Sequence, residues 1–356
     1  MNKNHLLSPV TIGSLQLANR VIMAPLTRSR TEQNHVPNSM MAEYYSQRAT
    51  AGLIIAEATM VMKGNSAFVA EPGIYSSEQV AGWKKVTEAV HAKGGKIFLQ
   101  LWHGGRACHP NLNQGQETVA PSAIAVEGEI HTPQGKVPHV TPRALKDDEI
   151  PGIIEGFRKA AQNAKDAGFD GVEVHGANGY LLDQFLRDSS NKRQGPYGGS
   201  LQNRAQLLLQ VTDAAIGVWG ADRVGVRISP LNSYNSMKDS DPIGLTLYVA
   251  QQLNRKKIAY LHLMRADFLG LQQGDVVTPA REGFRGVLIG NMGYTPAEAH
   301  EAIGKKILDA VAFGHHYVSN PDLVACIEKN RPFVEPDAST FYTPGAKGYT
   351  DYPGQT

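Results

Sequence analysis

Eight short apolar runs punctuate the chain, separated by longer stretches of mixed polarity. The runs cover residues 21–26, 53–58, 96–101, 171–174, 224–228, 260–263, 286–290 and 310–314. They are rich in Val, Ile and Leu and edged by Gly, Pro or Asn, the pattern of buried strands. Between them the apolar period changes from two to that of a helix. Residues 77–93 set Val80, Trp83, Val86 and Val90 on one face, and residues 147–167 do so with Ile150, Ile153, Ile154, Phe157, Ala161 and Ala164. Residues 203–219 and 244–253 follow the same rule. Each stretch is long enough for the crossover that two parallel strands need. Eight strands alternating with helices predict an α/β protein built as a TIM (β/α)8 barrel, one domain over residues 1–356. A doubly wound open sheet would show the same alternation.

Three stretches break the rhythm. Val10-Thr11-Ile12 and Leu15-Gln16-Leu17 around Gly13-Ser14 predict an N-terminal hairpin. Residues 103–143 are rich in Gly, Pro, Asn and Thr, without a helical period, and predict a long capping loop after the third strand. The tail, residues 332–356, is rich in Pro and Gly yet holds Phe341, Tyr342, Tyr349 and Tyr352, which predicts a segment laid against the body of the protein.

Composition narrows the partners. The formal net charge is +2 and no dense basic run occurs, which argues against nucleic acid. Cys108 and Cys326 are the two cysteines, too few for a disulfide framework. Residues 53–62 are too short to span a bilayer, and no signal-peptide pattern opens the chain, so the expectation is a cytoplasmic protein away from membranes.

In a barrel the chemistry gathers at the C-terminal ends of the strands. There the sequence offers Thr27, Glu57, Thr59, Gln100, Trp102, His103, His175, Asn178, Tyr180, Arg227, Asn291 and His315. The set carries one arginine and no opposed pair of carboxylates, which excludes the usual glycosidase arrangement. No metal cluster stands out beyond the adjacent His315 and His316, and the expectation is no metal. Walker, nucleophile-elbow and dinucleotide glycine motifs are absent. Gly290-Asn291-Met292-Gly293 and Gly314 close the last two strands, where this fold commonly binds phosphate, although plain turn glycines read the same way. His175, Asn178 and Tyr180 fall within six residues at the end of one strand. Imidazole, amide and phenol so close together suit a site that polarises and protonates a substrate. Each also has a structural use as a capped strand end, a turn residue or a core tyrosine.

The chain resembles the Old Yellow Enzymes, the FMN-dependent ene-reductases. The motifs are Ala24-Pro25-Leu26-Thr27-Arg28, Gln100-Leu101-Trp102-His103-Gly104-Gly105-Arg106, Ala120-Pro121-Ser122 and His175-Gly176-Ala177-Asn178-Gly179-Tyr180-Leu181. Tyr197-Gly198-Gly199-Ser200, Asn320-Pro321-Asp322-Leu323 and Gly348-Tyr349-Thr350-Asp351-Tyr352-Pro353 follow in the same order. The likeness is greatest to the bacterial N-ethylmaleimide and pentaerythritol tetranitrate reductases. It implies non-covalent FMN, NADPH or NADH as reductant, and activated alkenes as substrates: enones, enals, maleimides, nitroalkenes and nitro esters. It implies a monomer or homodimer.

The resemblance also implies roles. Pro25, Leu26, Thr27, Ala58, Gln100 and Arg227 would surround the flavin ring, and the backbone at Gly290, Asn291, Gly314 and His315 would hold its phosphate. His175 and Asn178 would bind the substrate's activating oxygen, Tyr180 would donate the proton, and Phe68, Trp102 and Tyr342 would shape the apolar wall. Three positions depart from the family pattern. His315 stands for an arginine at the phosphate, which predicts weaker or pH-dependent FMN retention. Gly195 stands for an aspartate, and Asn178 for a residue that is histidine in part of the family. A flavin-binding sensor or store, and a phosphate-binding isomerase or lyase, are the competing functions.

Overall fold

The computed structural model describes residues 4–354. Eight parallel strands close into a barrel: β1 (Val21–Met23), β2 (Leu53–Met60), β3 (Ile97–Trp102), β4 (Gly171–Gly176), β5 (Val224–Ile228), β6 (Tyr260–Met264), β7 (Val287–Asn291) and β8 (Ala310–Phe313), with β8 pairing β1. All eight apolar runs are strands, and the barrel replaces the open-sheet alternative. The first run stops early as a strand: the Ala24 N–H donates to Phe313 O, the last residue of β8.

Ten α-helical segments are described: α1 (Ser39–Gln47), α2 (Ser77–His91), α3 (Ile150–Asp166), α4 (Leu181–Leu186), α5 (Leu201–Trp219), α6 (Pro242–Lys256), α7 (Val277–Gly283), α8 (Pro296–Gly304), α9 (His315–Ser319) and α10 (Leu323–Glu328). Their starts follow local chemistry. Ser76 and Gln79 form a capping box on α2, and Asn38, Ser200, Asp241 and Thr295 cap α1, α5, α6 and α8 through side-chain oxygens. The apolar stripe of α3 is buried at Ile150, Ile153, Phe157, Ala160, Ala161 and Ala164. Each large side chain there is worth roughly 1.5–3 kcal/mol of burial.

Alternation along the strands builds two interior layers. Ile22, Ile55, Phe98, Tyr260 and Ile289 form an apolar floor, closed by Ile12, Leu15 and Leu17 of the N-terminal hairpin. Two residues further along the same inward faces stand Gln100, His262 and Asn291. Glu173, His175 and Arg227 complete this polar layer, and all six are buried. On β2 the register slips between Ala56 and Thr59. The bulge turns Glu57 out to Tyr45 of α1 and leaves Ala58 in the cluster with Trp102 and Tyr180.

The capping segment is less irregular than its composition suggested. Glu129–Thr132 and Gly135–Pro138 pair as an antiparallel hairpin, and Val119–Ala120 pairs with Arg143–Ala144. The tail is held by two buried arginines from the segment after β1. Arg28 donates to the carbonyls of Phe341 and Gly348, and Arg30 to those of Thr340, Phe341 and Gly345. Tyr349 stacks on Tyr44 with ring centroids 4.0 Å apart. Among the described residues no helix is long and apolar enough to cross a membrane.

Candidate active site

The polar layer is wired through one carboxylate. Gln100 Nε2 donates to Glu173 Oε1 at 2.7 Å, and His262 Nδ1 contacts Glu173 Oε2 at 2.9 Å. Burial alone would raise the Glu173 carboxyl, but His262, Arg227 and Gln100 together hold it below its ordinary value. Arg227 Nη2 donates to Asn291 Oδ1 at 2.8 Å, and Asn291 Nδ2 donates to Ala312 O. Arg227 Nε is buried without a partner, and so is His175 Nδ1. Both carboxylates at strand positions are therefore engaged: Glu173 inside the barrel and Glu57 against Tyr45 and the Arg28 N–H. Neither is left as the base that an isomerase or lyase would need.

His175 pairs in register with Arg227. Burial, reinforced by the Arg227 charge and His262, pushes its imidazole well below the ordinary range, so it is neutral. The chain then turns through Asn178 at φ 58° and Gly179 at φ 71°. A Cβ on Gly179 would sit 2.7 Å from the Tyr234 carbonyl oxygen, so glycine is required there. Gly179 N–H donates to Asp183 Oδ2, and Gln184 Nε2 donates to Gly179 O, which tie the turn to α4. Tyr180, the residue before α4, is 7% exposed and stands between His175 and Trp102, with ring centroids 5.4 and 5.1 Å away. Burial raises its phenol well above the ordinary value, and Tyr234 and Tyr342 add to the effect.

A cavity of about 730 Å³ opens over Tyr180. Phe68 and Tyr342 line it, their rings stacked with centroids 5.9 Å apart. Trp102 does not form its surface: fully buried, it packs behind Phe68 and Tyr180 and supports the wall from inside. The capping hairpin supplies Glu129, Ile130, His131 and Thr132, the loop after β5 supplies Tyr234, and the loop after β6 supplies Leu269 and Leu271. Sequence reasoning missed all of these. The only available signal for Tyr234 was its place in a polar, turn-like run, residues 229–236, directly after a strand.

The remaining candidates sit around the mouth. Pro25 is buried, and Leu26 and Thr27 are half-buried in the extended segment after β1; Ala58 is 6% exposed. Gly290 has a packing reason for lacking a side chain, since its Cβ would meet Leu308 Cδ1 at 2.4 Å on the outer face. The Asn291 side chain is consumed by Arg227 and Ala312. Gly314 precedes α9. The His315 ring is exposed, and its Nε2 lies 2.9 Å from Glu335 Oε2. Gly195 adopts φ 87°, a conformation that glycine accepts more readily than aspartate.

Residues 5–333 match the model of the NADH:flavin oxidoreductase / NADH oxidase family. The chain belongs to this family. It is 49% identical to a Leishmania infantum protein named "Probable flavin mononucleotide-dependent alkene reductase", over 98% of this chain and 97% of the relative. It is 42% identical to 12-oxophytodienoate reductase 1 of Oryza sativa subsp. japonica, over 98% and 92%. Among solved structures, the old yellow enzyme of Trypanosoma cruzi superposes with a TM-score of 0.97 at 45% identity, covering 99% of both chains. Morphinone reductase superposes at 0.95 with 46% identity, over 98% and 96%. The polar layer fits a flavin oxidoreductase: the unpartnered Arg227 Nε and the Gln100 amide suit the hydrogen-bonding, partly anionic edge of a flavin ring.

Proposed function

We propose that the protein is an FMN-dependent, NADPH- or NADH-consuming ene-reductase for C=C bonds activated by a carbonyl, maleimide or nitro group, with nitro esters as further substrates. One observation carries the reading: the buried His175 imidazole at the end of β4 and the buried Tyr180 phenol that lines the cavity stand side by side, ring centroids 5.4 Å apart. When bound, FMN supplies the hydride, received from the nicotinamide and passed to the β-carbon.

The chain does the rest. His175 and Asn178 donate hydrogen bonds to the activating oxygen, which draws electron density from the alkene as charge develops there. Tyr180 keeps its proton until the α-carbon takes it. Phe68, Tyr234 and Tyr342 exclude water from the reacting face, with Trp102 behind them. Pro25, Leu26, Thr27, Ala58, Gln100 and Arg227 hold the ring, and the backbone at Gly290, Asn291, Gly314 and His315 the phosphate. With one cavity for both substrates, turnover is ping-pong. The motif likeness supports a place near the bacterial N-ethylmaleimide and pentaerythritol tetranitrate reductases, as one cytoplasmic domain working as monomer or homodimer.

The test is an anaerobic titration. NADPH should bleach a yellow protein, and 2-cyclohexenone should restore the colour. A protein that stays colourless with added FMN would refute the reading; one that bleaches but is not reoxidised by any enone, maleimide or nitro compound would be a flavin store.

A further inference from the structure

Asn178 can hold a substrate oxygen only through Nδ2, because its other amide atom, Oδ1, is an acceptor and would repel that oxygen. The two ends of a primary amide are nearly the same shape, so packing alone does not decide which one faces the substrate. In this structure the choice is made by a second amide. Asn232, fully buried in the loop after β5, donates from Nδ2 to Asn178 Oδ1 at 2.8 Å. That bond occupies the acceptor of Asn178 and leaves Nδ2 as its uncommitted group.

The loop is itself immobilised. The Asn232 N–H donates to Ser229 O, and the buried Arg187 donates to both Ser229 O and Asn232 O. The same loop grips the Asn178 backbone at both polar atoms, Ser229 Oγ accepting from its N–H at 2.8 Å and Asn235 Nδ2 donating to its carbonyl at 3.0 Å. Asn232 Oδ1 is buried without a partner. Turning both amides over would bury an unpaired NH2 in its place, two unmet donors for one unmet acceptor.

We propose that Asn232 is a positioning residue that sets the polarity of Asn178, keeping its NH2 as a hydrogen-bond donor to the substrate's carbonyl or nitro oxygen. The proposal rests on the reading of Asn178 as a holder of that oxygen. It selects for substrates that present an acceptor at this point, and against those that present a donor.

Asn232→Asp tests it. The carboxylate keeps the shape but cannot donate, so it should draw Asn178 Nδ2 to itself and turn Oδ1 to the substrate. The expected result is a KM for 2-cyclohexenone raised by about tenfold or more, one lost hydrogen bond to the bound substrate's oxygen. The defect should shrink as pH falls and the carboxyl regains a proton to donate. Asn232→Ala, which frees the amide without reversing it, should cost less. The flavin absorbance and the unfolding midpoint report whether barrel and cofactor site are intact. If Asn232 only filled space, Ala would be worse than the near-isosteric Asp and neither would depend on pH; that result overturns the proposal. Should the Asp variant fail to bind flavin, Asn232→Leu decides: a raised KM with flavin bound supports the proposal, and an unchanged KM overturns it. Asn178→Ala separates the two claims. An unchanged KM there defeats the reading of Asn178; a raised KM there with Asn232→Asp unaffected defeats the positioning role alone.

Discussion

Tyr180 has one proton to give and an environment that keeps it from leaving as an ion. Tyr180→Phe should slow reoxidation by cyclohexenone by about 10²–10⁴-fold, the usual worth of a general acid. Flavin reduction by NADPH, which takes no proton from this phenol, should proceed; stopped-flow traces of the two half-reactions check both. Burial raises Tyr180 and lowers His175, so neither changes charge between about pH 6 and about pH 9. The reoxidation rate should therefore be flat over that window, and a rate that follows a group titrating near neutrality would contradict the assignment. These residues were legible because His175, Asn178 and Tyr180 are neighbours in the chain. Asn232 and Tyr234 arrive some fifty positions later on a loop with no period, and only the folded loop brings them to the site. His315 shows a different limit. Motif position placed it at the phosphate, while its ring direction depends on Glu335, twenty residues away.

At the scale of elements, the strands were readable because barrel strands are buried on both faces and appear as apolar runs. The hairpin Glu129–Thr132 was not, since its alternation of exposed and buried residues lasts four positions among prolines and glycines. The bulge in β2 left no sequence mark, yet it decides the fate of Glu57. Burial pushes that carboxyl up to about 7, against the Arg28 N–H and Tyr45 hydroxyl that donate to it and stabilise its charge. A folded value above the ordinary one means the stabilising contribution is complete below about pH 4.5 and lost as pH rises through about 7. The change is on the order of 3 kcal/mol across the full shift. Glu57→Gln should remove this dependence, so that urea denaturation at about pH 5 and about pH 8 gives closer midpoints for the variant than for the parent. A parent with the steeper dependence in the opposite direction would refute the assignment.

The whole molecule is a closed barrel whose floor is apolar, whose upper interior is polar and whose mouth is walled by separate loops. Filling the polar layer should stabilise all of it at once: FMN at about one hundred times its dissociation constant should add about 2.7 kcal/mol, read as a rise in unfolding midpoint over the flavin-free protein. An unchanged midpoint would mean that the barrel does not bind FMN. The C-terminal segment is part of the wall too, because Tyr342 reaches the cavity from a stretch moored by Arg28 and Arg30. Proteolytic loss of the segment from Phe341 onward would therefore open one side of the mouth at a cost in stability, since Arg28 and Arg30 lose carbonyl partners there. Such a clipped preparation should run yellow on a column, pass for intact by colour, and accept a bulkier set of alkenes with poorer discrimination. Assays of substrate range thus call for a check of C-terminal mass.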